Sequence, residues 1–240
     1  LLRLYDPTEG NIYINNINIK DIKYENYLDL FSTVFQDYKL YAFTIKDNIQ
    51  MFNKDRNESE NDNKHIMNIL EKLNIKDRIE SLENGLDTYL YRIFDENGVE
   101  LSGGQMQRVA LASVIVLEPD ILIIDEPTSQ LDPEGTESVF AIIKAMKDKQ
   151  KTIILVEHKI DLIAEYADDV LVLKDGELIA VGDKNEILTD ITLMEKGVAL
   201  PQVVLLAVKL QKAGLPLTKI PVTEKQAIEM IGQAMKEKRG

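Results

Sequence analysis

The feature that most restricts the fold is a Gly-Gly pair that opens a helical run and is followed by an apolar strand ending in two acids. The pair lies in Leu101-Ser-Gly-Gly-Gln105, and the strand Ile121-Leu-Ile-Ile124 runs into Asp125-Glu126. Backbone N–H groups at a helix start attract phosphate, and glycine lets a ligand approach the backbone closely. Carboxylates at the carboxyl end of a parallel strand lie where ligands bind in open α/β sheets. Together the two motifs predict a site for a phosphorylated ligand.

The two acids have different predicted roles. Asp125, at the tip of the strand, is placed to hold Mg²⁺ or its waters. Glu126, its neighbour, points elsewhere and could polarise an attacking water. Each motif alone is weak, because a Gly-Gly turn is usually only a turn. Together, in this order and at this spacing, the two motifs are a strong signal.

The second half of the chain has the pattern of an α/β fold. Two short apolar runs, Ile121–Ile124 and Thr152–Val156, are typical of parallel strands covered on both faces. A helical pattern over Glu137–Lys147 joins them into a βαβ unit. A hairpin is predicted around Asp175-Gly176, and two short amphipathic helices are predicted near the end of the chain.

The first half is predicted to be mixed. A helix end is expected at Leu1–Tyr5, a pair of short strands within Asn11–Lys20, and a buried strand at Ser32–Phe35. Residues 53–64 are polar and predict a surface loop. The following helix has one apolar face, formed by Ile66, Ile69, Leu70 and Leu73.

Five motifs in order resemble those of the ABC ATPase family. Leu101–Gln105 resembles its signature motif and Ile121–Glu126 its Walker B strand. Gln130-Leu-Asp132 resembles its D-loop, and the strand that ends at His158 resembles its switch-histidine strand. Val34-Phe-Gln-Asp37 is similar to its Q-loop. The resemblance extends over essentially residues 1 to 190.

The resemblance implies a role for each matching residue. Gln36 would reach Mg²⁺ and the attacking water, and would link to the membrane partner. Asp125 would hold the metal, and Glu126 would be the general base. Asp132 would bridge a dimer, and His158 would contact the γ-phosphate. The γ-phosphate of a nucleotide held by the opposing subunit would be contacted by Ser102, Gly103, Gly104 and Gln105.

The resemblance also implies an architecture and partners. The expected fold is α/β, with the parallel-sheet core of P-loop NTPases, in an ATPase domain over residues 1–190. A helical subdomain is expected at about 40–117, and a small extension at 191–240. The expected cofactors are ATP and Mg²⁺. The expected partners are transmembrane transporter subunits and a second ABC ATPase domain, identical or different, with the chain cytoplasmic and peripheral on the inner face of the membrane.

The phosphate-binding loop Gly-x-x-x-x-Gly-Lys-Ser/Thr does not occur in these residues. The family has this loop before the helix whose end Leu1–Pro7 resembles, so the sequence predicts truncation ahead of Leu1, with the first strands missing too. Weak ATP binding by the chain alone is the expected consequence.

Residues 1 to about 100 resemble exporter ATPases, and residues 106–240 resemble energy-coupling-factor importer ATPases. A recombined chain is therefore expected, with an unusual natural lineage as the alternative.

Composition excludes several function classes. A formal net charge of −13 argues against a nucleic-acid partner, which needs a basic face. The chain has no cysteine, so it has neither disulfides nor thiolate metal ligands. No stretch approaches the roughly 20 apolar residues that span a bilayer.

Bland alternatives stay open for several residues and for the function as a whole. Asp132, ahead of Pro133, is also a natural helix cap, and His158 at a strand end could be only hydrogen-bonded. Asp95 and Glu96 are either solvated or part of the family's cross-contact loop. The alternative functions are a non-transport ABC ATPase and a non-catalytic module that completes a partner's ATP site.

Overall fold

The fold is built around a parallel sheet whose central strand is Ile121–Asp125. The structure is a computed structural model, and it describes residues 1–53 and 60–237. The chain divides into two compact units, Leu1–Val156 and Glu157–Gly240. The first unit contains the sheet and the helices that follow the Gly-Gly pair. It therefore carries most of the predicted site residues.

The sheet has three strands, β3 (Phe31–Val34), β4 (Ile121–Asp125) and β5 (Thr152–Val156), in the order β3-β4-β5. Both pairs are parallel. Leu122 and Ile124 of β4 are each 1% exposed, as the apolar run predicts for a central strand. The predicted α/β fold with a parallel sheet is confirmed.

Strand β5 lies at an edge of this sheet. Within residues 1–53 and 60–237 it pairs with β4 alone. Its Ile153, Ile154 and Leu155 are only half-buried, and Val156 is 48% exposed. The prediction that this strand is covered on both faces is therefore wrong in this structure, since none of its five residues is fully buried.

Helix α6 (Pro133–Asp148) makes the crossover from β4 to β5. Asp132 caps it and Pro133 occupies its first turn, where the missing N–H costs nothing. Its inner face buries Val139 and Phe140, which are 2% and 0% exposed. The helix extends beyond both ends of the predicted range, Glu137–Lys147. The prediction began too late because the cap and first turn are polar and do not show the helical spacing of apolar residues.

The chain starts with an antiparallel pair, β1 (Tyr13–Ile14) and β2 (Ile17–Asn18), followed by α1 (Tyr24–Leu28). Asn15 and Asn16 turn the pair with φ of 49° and 64°, the left-handed geometry that a two-residue hairpin needs. This prediction is confirmed.

The helix end predicted at Leu1–Tyr5 is wrong. Arg3 has φ of 53°, outside the helical range. Its guanidinium donates to the carbonyls of Ile19 and Ile22 at 2.8 and 3.1 Å, so the segment is tied to the first hairpin region. These long-range bonds override the local helical preference.

The predicted helical region contains α2 (Ile45–Gln50), α3 (Glu60–Lys72), α4 (Lys76–Glu80) and α5 (Gly103–Ile115). The predicted apolar face of α3 is confirmed, since its four residues are between 0% and 5% exposed. The surface loop predicted at 53–64 is wrong from residue 60 onward, where α3 has begun. Residues 54–59 of that prediction lie outside the described residues.

The second unit combines a hairpin with five short helical segments in its described part. Strands β6 (Asp169–Lys174) and β7 (Glu177–Asp183) pair antiparallel, as predicted. The helical segments are α7 (Ile160–Tyr166), α8 (Lys184–Thr189), a 3-10 turn (Ile191–Lys196), α9 (Gln202–Lys212) and α10 (Glu224–Glu237). The predicted division at residue 190 stays a prediction. Among the described helices, none combines the length and apolarity that a bilayer crossing requires.

Candidate functional site

Two of the predicted site segments follow neighbouring strands at the same edge of the sheet. Val34 lies beside Ile124 in the parallel register, and Asp125 lies beside Val156. Gln36 comes two residues after β3, and Glu126 comes directly after β4. Because parallel strands end at one edge, the topology brings these side chains together.

Gln36 and Glu126 are in direct contact. The Gln36 carboxamide Nε2 donates to Glu126 Oε2 at 2.8 Å. Gln36 is exposed, and Glu126 and Asp125 are half-buried. The residue predicted to contact Mg²⁺ and water is thus a direct neighbour of the residue predicted to be the general base.

The backbone at Glu126 is unusual. Its φ is 47°, in the left-handed region that non-glycine residues rarely adopt. Its N–H donates to the carbonyl of Val156 at 3.0 Å, so the turn is anchored to the end of β5. This conformation turns the Glu126 side chain away from the line of the strand. Sequence alone gave no signal for it.

Helix α5 begins with a complete capping box. Ser102 Oγ accepts from the N–H of Gln105 at 3.3 Å, and Gln105 Oε1 accepts from the N–H of Ser102 at 3.0 Å. Gly103 and Gly104 occupy the first turn, where Gln130 approaches them closely. A Cβ on Gly104 would lie 2.9 Å from the carbonyl oxygen of Gln130. Glycine is thus required here by the neighbouring segment as well as by any ligand.

Tyr38 is a contact of this helix start that the sequence did not predict. Its hydroxyl donates to the carbonyl of Gly103 at 3.0 Å. Burial, with a smaller contribution from the neighbouring Tyr91, raises the pKa of the Tyr38 hydroxyl above its ordinary value. Tyr38 therefore stays a neutral donor at neutral pH and ties the segment after β3 to the start of α5.

Asp132 caps α6 and also pairs with α5. Its Oδ1 accepts from the N–H of Gly135 at 2.7 Å and from Arg108 Nη2 at 3.0 Å. The Arg108 side chain is 12% exposed and also donates through Nη1 to the carbonyl of Asn74 at 3.0 Å. The predicted cap is confirmed. Arg108 was missed, because an arginine in a helix is usually a solvated residue.

We expect Asp132→Ala to lower the free energy of unfolding by about 1–2 kcal/mol, because it removes the cap and the partner of Arg108. Asp132→Asn keeps a capping acceptor, so we expect a loss of about 1 kcal/mol or less. Urea unfolding followed by circular dichroism measures both. Glu137→Ala, at an exposed position of the same helix, is the control and should change stability by about 0.5 kcal/mol or less. Equal losses for Asp132→Ala and Glu137→Ala would contradict the structural role of Asp132.

His158 belongs to the second unit. The preceding residue, Glu157, accepts through Oε1 from the N–H groups of His158 and Lys159, each at 3.1 Å. This local bond shapes the segment that leads into α7. The role predicted for His158 at the γ-phosphate stays a prediction.

Asp95 and Glu96 lie in a turn of the first unit. Asp95 Oδ1 accepts from the N–H of Asn97 at 2.8 Å, and its carbonyl accepts from the N–H of Gly98 at 3.0 Å. Asp95 is thus half-buried and structural in this unit, while Glu96 is exposed. A cross-contact role for either stays a prediction.

The donor set at the strand edge fits Mg²⁺. Within the described part of the chain, no three His, Cys, Asp or Glu side chains group as a metal site. Mg²⁺ at nucleotide sites takes one or two protein oxygens and completes its shell with phosphates and waters. Asp125, with the carboxamide oxygen of Gln36, offers donors of that kind.

Comparison with known proteins gives a consistent set of relatives. The family model described as ABC transporter matches residues 1–129. The chain is 35% identical over 235 residues to the energy-coupling factor transporter ATP-binding protein EcfA2 of Clostridium perfringens, covering 95% of this chain and 78% of that protein. It is 40% identical over 140 residues to the protein of the same name from Streptococcus agalactiae, covering 58% of this chain and 50% of that protein.

A solved structure is also similar. The chain matches a bacterial Atm1-family ABC exporter with ATP bound, with a TM-score of 0.70 and 29% identity. The match covers 83% of this chain and 34% of the exporter chain. This chain therefore matches about a third of the length of the exporter chain.

Proposed function

Because this chain belongs to the ATP-binding proteins of ABC transporters, we propose that it hydrolyses ATP to drive the movement of a solute across a membrane. The observation that carries the proposal is the 2.8 Å bond between Gln36 and Glu126 at the carboxyl ends of two adjacent strands. It joins the residue proposed to contact Mg²⁺ and water to the residue proposed as the general base.

Each site residue has a proposed part in the reaction. Mg²⁺ supplies charge neutralisation on the phosphates, and Asp125 and Gln36 would hold it. Glu126 accepts the proton of the attacking water, and Gln36 orients the carboxylate. His158 contacts the γ-phosphate.

A second ATPase domain is proposed to complete the site. The first turn of α5 carries the N–H groups of Gly103 and Gly104 next to the Ser102 hydroxyl, which suits a γ-phosphate presented from outside. Ser102, Gly103, Gly104 and Gln105 would thus contact nucleotide held by the opposing domain, and Asp132 would lie at the junction. Because both domains would position the reacting groups around the nucleotide, only the closed pair of domains would hydrolyse ATP.

We propose that these 240 residues by themselves bind Mg-ATP weakly, because the lysine and amide cradle of a phosphate loop is not among them. Each charge-assisted hydrogen bond contributes about 1.5–3 kcal/mol. Losing two of them weakens affinity by about 10²- to 10⁴-fold relative to a complete domain. Isothermal titration of the polypeptide with Mg-ATP measures this. A micromolar dissociation constant would contradict the proposal.

The membrane partner is proposed to dock on an exposed aromatic strip, which we define as Tyr41, Phe43 and Phe94. The rings of Tyr41 and Phe43 stack at 6.2 Å, and those of Phe43 and Phe94 at 6.4 Å. The three side chains are between 44% and 68% exposed. Large aromatic groups that stack in water are typical of a contact surface. Gln36, after β3, would transmit the partner's movement to the site.

We expect Phe43→Ala with Phe94→Ala to reduce recovery of the chain with its transmembrane subunits by at least about tenfold, since aromatic anchors commonly contribute 2 kcal/mol or more. Co-purification from detergent extracts measures the effect. Phe52→Ala, at a side chain 62% exposed and outside the strip, is the control. Undiminished recovery of the double variant would rule out this docking surface.

The two parts of the sequence favour different solutes and opposite directions of transport. The importer-like relatives favour a vitamin or metal ion, and the exporter-like first half favours a lipid, drug or peptide. The mixed ancestry stays a prediction. The similarity to the clostridial protein, in comparison, extends over 95% of this chain. Transport assays in vesicles of both orientations, with ATP supplied on the side of this chain, test the direction.

A further inference from the structure

Gln107 is a buried polar side chain on helix α5. It is 2% exposed, and the helix around it buries Val109, Ala110 and Leu111. A carboxamide taken out of water must have hydrogen-bond partners, or it destabilises the fold. Its partners all lie on one segment, residues 126–131, which we name the base turn.

The carboxamide of Gln107 uses both its donor and its acceptor on the base turn. Nε2 donates to the carbonyl of Glu126 at 3.2 Å and lies 3.5 Å from Ser129 Oγ. Oε1 accepts from the N–H of Gln130 at 3.3 Å. One side chain therefore connects the start of the base turn to a point four residues later.

The base turn depends on such outside contacts. Inside it, Ser129 N–H donates to the Glu126 carbonyl and Leu131 N–H to the Thr128 carbonyl, both at 3.3 Å. Glu126 itself has φ of 47°. A left-handed conformation at a non-glycine residue persists only where the surroundings enforce it. Gln107 and the bond from Glu126 N–H to Val156 hold the peptide groups on both sides of Glu126.

We infer that Gln107 is a positioning residue for ATP hydrolysis, acting through the backbone of Glu126. By fixing the peptide plane after Glu126, it fixes the direction in which the carboxylate leaves the backbone toward Gln36. The inference rests on the proposed function, because it assigns no reaction of its own. It adds a residue that is 2% exposed and so has almost no surface for a nucleotide or a metal ion.

Gln107 also links two parts of the proposed site. It lies in the second turn of α5, whose first turn carries Gly103 and Gly104. Gln130, which Gln107 binds, is also the residue that closes over those glycines. The helix start that contacts a γ-phosphate and the turn that carries the base therefore move as one body. A shift of α5 displaces Glu126 with it.

The chain provides a matched control in Gln50, a second buried glutamine. It is 1% exposed and lies at the end of α2. A glutamine whose role is only structural can be replaced by methionine, of similar size, with a cost in stability alone. If Gln107 positions Glu126, Gln107→Met affects turnover and Gln50→Met does not.

The test is steady-state ATP hydrolysis by the transporter assembly that contains this chain. We expect Gln107→Met to lower kcat by about 10- to 100-fold, since misplacing a catalytic group by 1 Å can cost about 10²-fold. We expect KM for Mg-ATP to change by about threefold or less, because Gln107 contacts no part of the nucleotide. Gln107→Glu keeps the acceptor for Gln130 but has no N–H for the Glu126 carbonyl, so kcat should fall to a similar extent. Gln50→Met should keep kcat within about twofold.

A double-mutant cycle identifies the route of the effect. In a Glu126→Gln background we expect Gln107→Met to lower the residual rate by about twofold or less, because the two changes remove one function. Equal effects in both backgrounds would show that Gln107 does not act through Glu126 and would overturn the inference. A loss of kcat that only follows the folded fraction, measured by thermal unfolding, would also overturn it. An assembly in which Glu126→Gln hydrolyses ATP normally contradicts the proposed function itself, whatever Gln107 does.

Discussion

Glu126→Gln is expected to slow ATP hydrolysis by the assembled transporter by about 10²- to 10⁴-fold, the range that general-base catalysis contributes. The carboxamide has nearly the shape of the carboxylate and can still accept the hydrogen bond that Gln36 donates at 2.8 Å. It cannot take a proton from the attacking water. The geometry of the strand edge therefore survives while the chemical step is lost.

Two measurements separate the loss of chemistry from a loss of binding. Release of inorganic phosphate gives the rate, and equilibrium binding of a labelled nucleotide by the same assembly should stay within about threefold of the unmodified value. Glu100→Gln makes the same change at an exposed position and should hydrolyse normally. If Glu126→Gln keeps more than a tenth of the rate, another group is the base.

Phe140→Ala is expected to lower the free energy of unfolding by about 3–5 kcal/mol, the usual cost of removing a fully buried phenylalanine. Phe140 is 0% exposed and lies on the inner face of α6, which makes the crossover between β4 and β5. Typical domains are stable by only about 5–15 kcal/mol. The expected loss is therefore a large share of the total free energy of unfolding of a typical domain.

The control for this prediction is Phe52→Ala, which removes the same atoms from a side chain that is 62% exposed. It should change the free energy of unfolding by about 0.5 kcal/mol or less. Urea unfolding followed by far-ultraviolet circular dichroism gives the midpoint for each variant. Similar midpoints for the two substitutions would show that the packing of α6 is not what stabilises the first unit.

The sequence predicted the parts of the fold in which local pattern and tertiary environment agree. The apolar run Ile121–Ile124 forms a strand, and the period of Ile66 to Leu73 forms a helix with one buried face. The capping box of Ser102 and Gln105 is of the same kind, because its residue types and spacing are a known helix-start pattern. Such features depend on residues a few positions apart.

Features that depend on distant partners could not be predicted. Arg3 leaves the helical conformation for carbonyls at Ile19 and Ile22. Gln107 and Arg108 are polar residues in a helix, and the local sequence pattern would place both side chains in solvent. Both nevertheless contact the segment after β4. The left-handed backbone at Glu126 is likewise set by contacts on both sides. Sequence reasoning therefore pointed to Gln36 and Glu126, which lie in contact here, and missed Gln107 and Arg108, which bind the segment after β4.

The half-buried strand β5 has a practical consequence for handling the protein. Its run Thr-Ile-Ile-Leu-Val is uncharged and β-branched except for the leucine, and its outer backbone groups have no strand partner within the described chain. An edge strand of this kind promotes aggregation through intermolecular β-sheets, because an extended segment of another molecule can pair with it directly. We expect isolated polypeptide to precipitate on concentration, and co-production with its transporter subunits to be the route to a monodisperse sample.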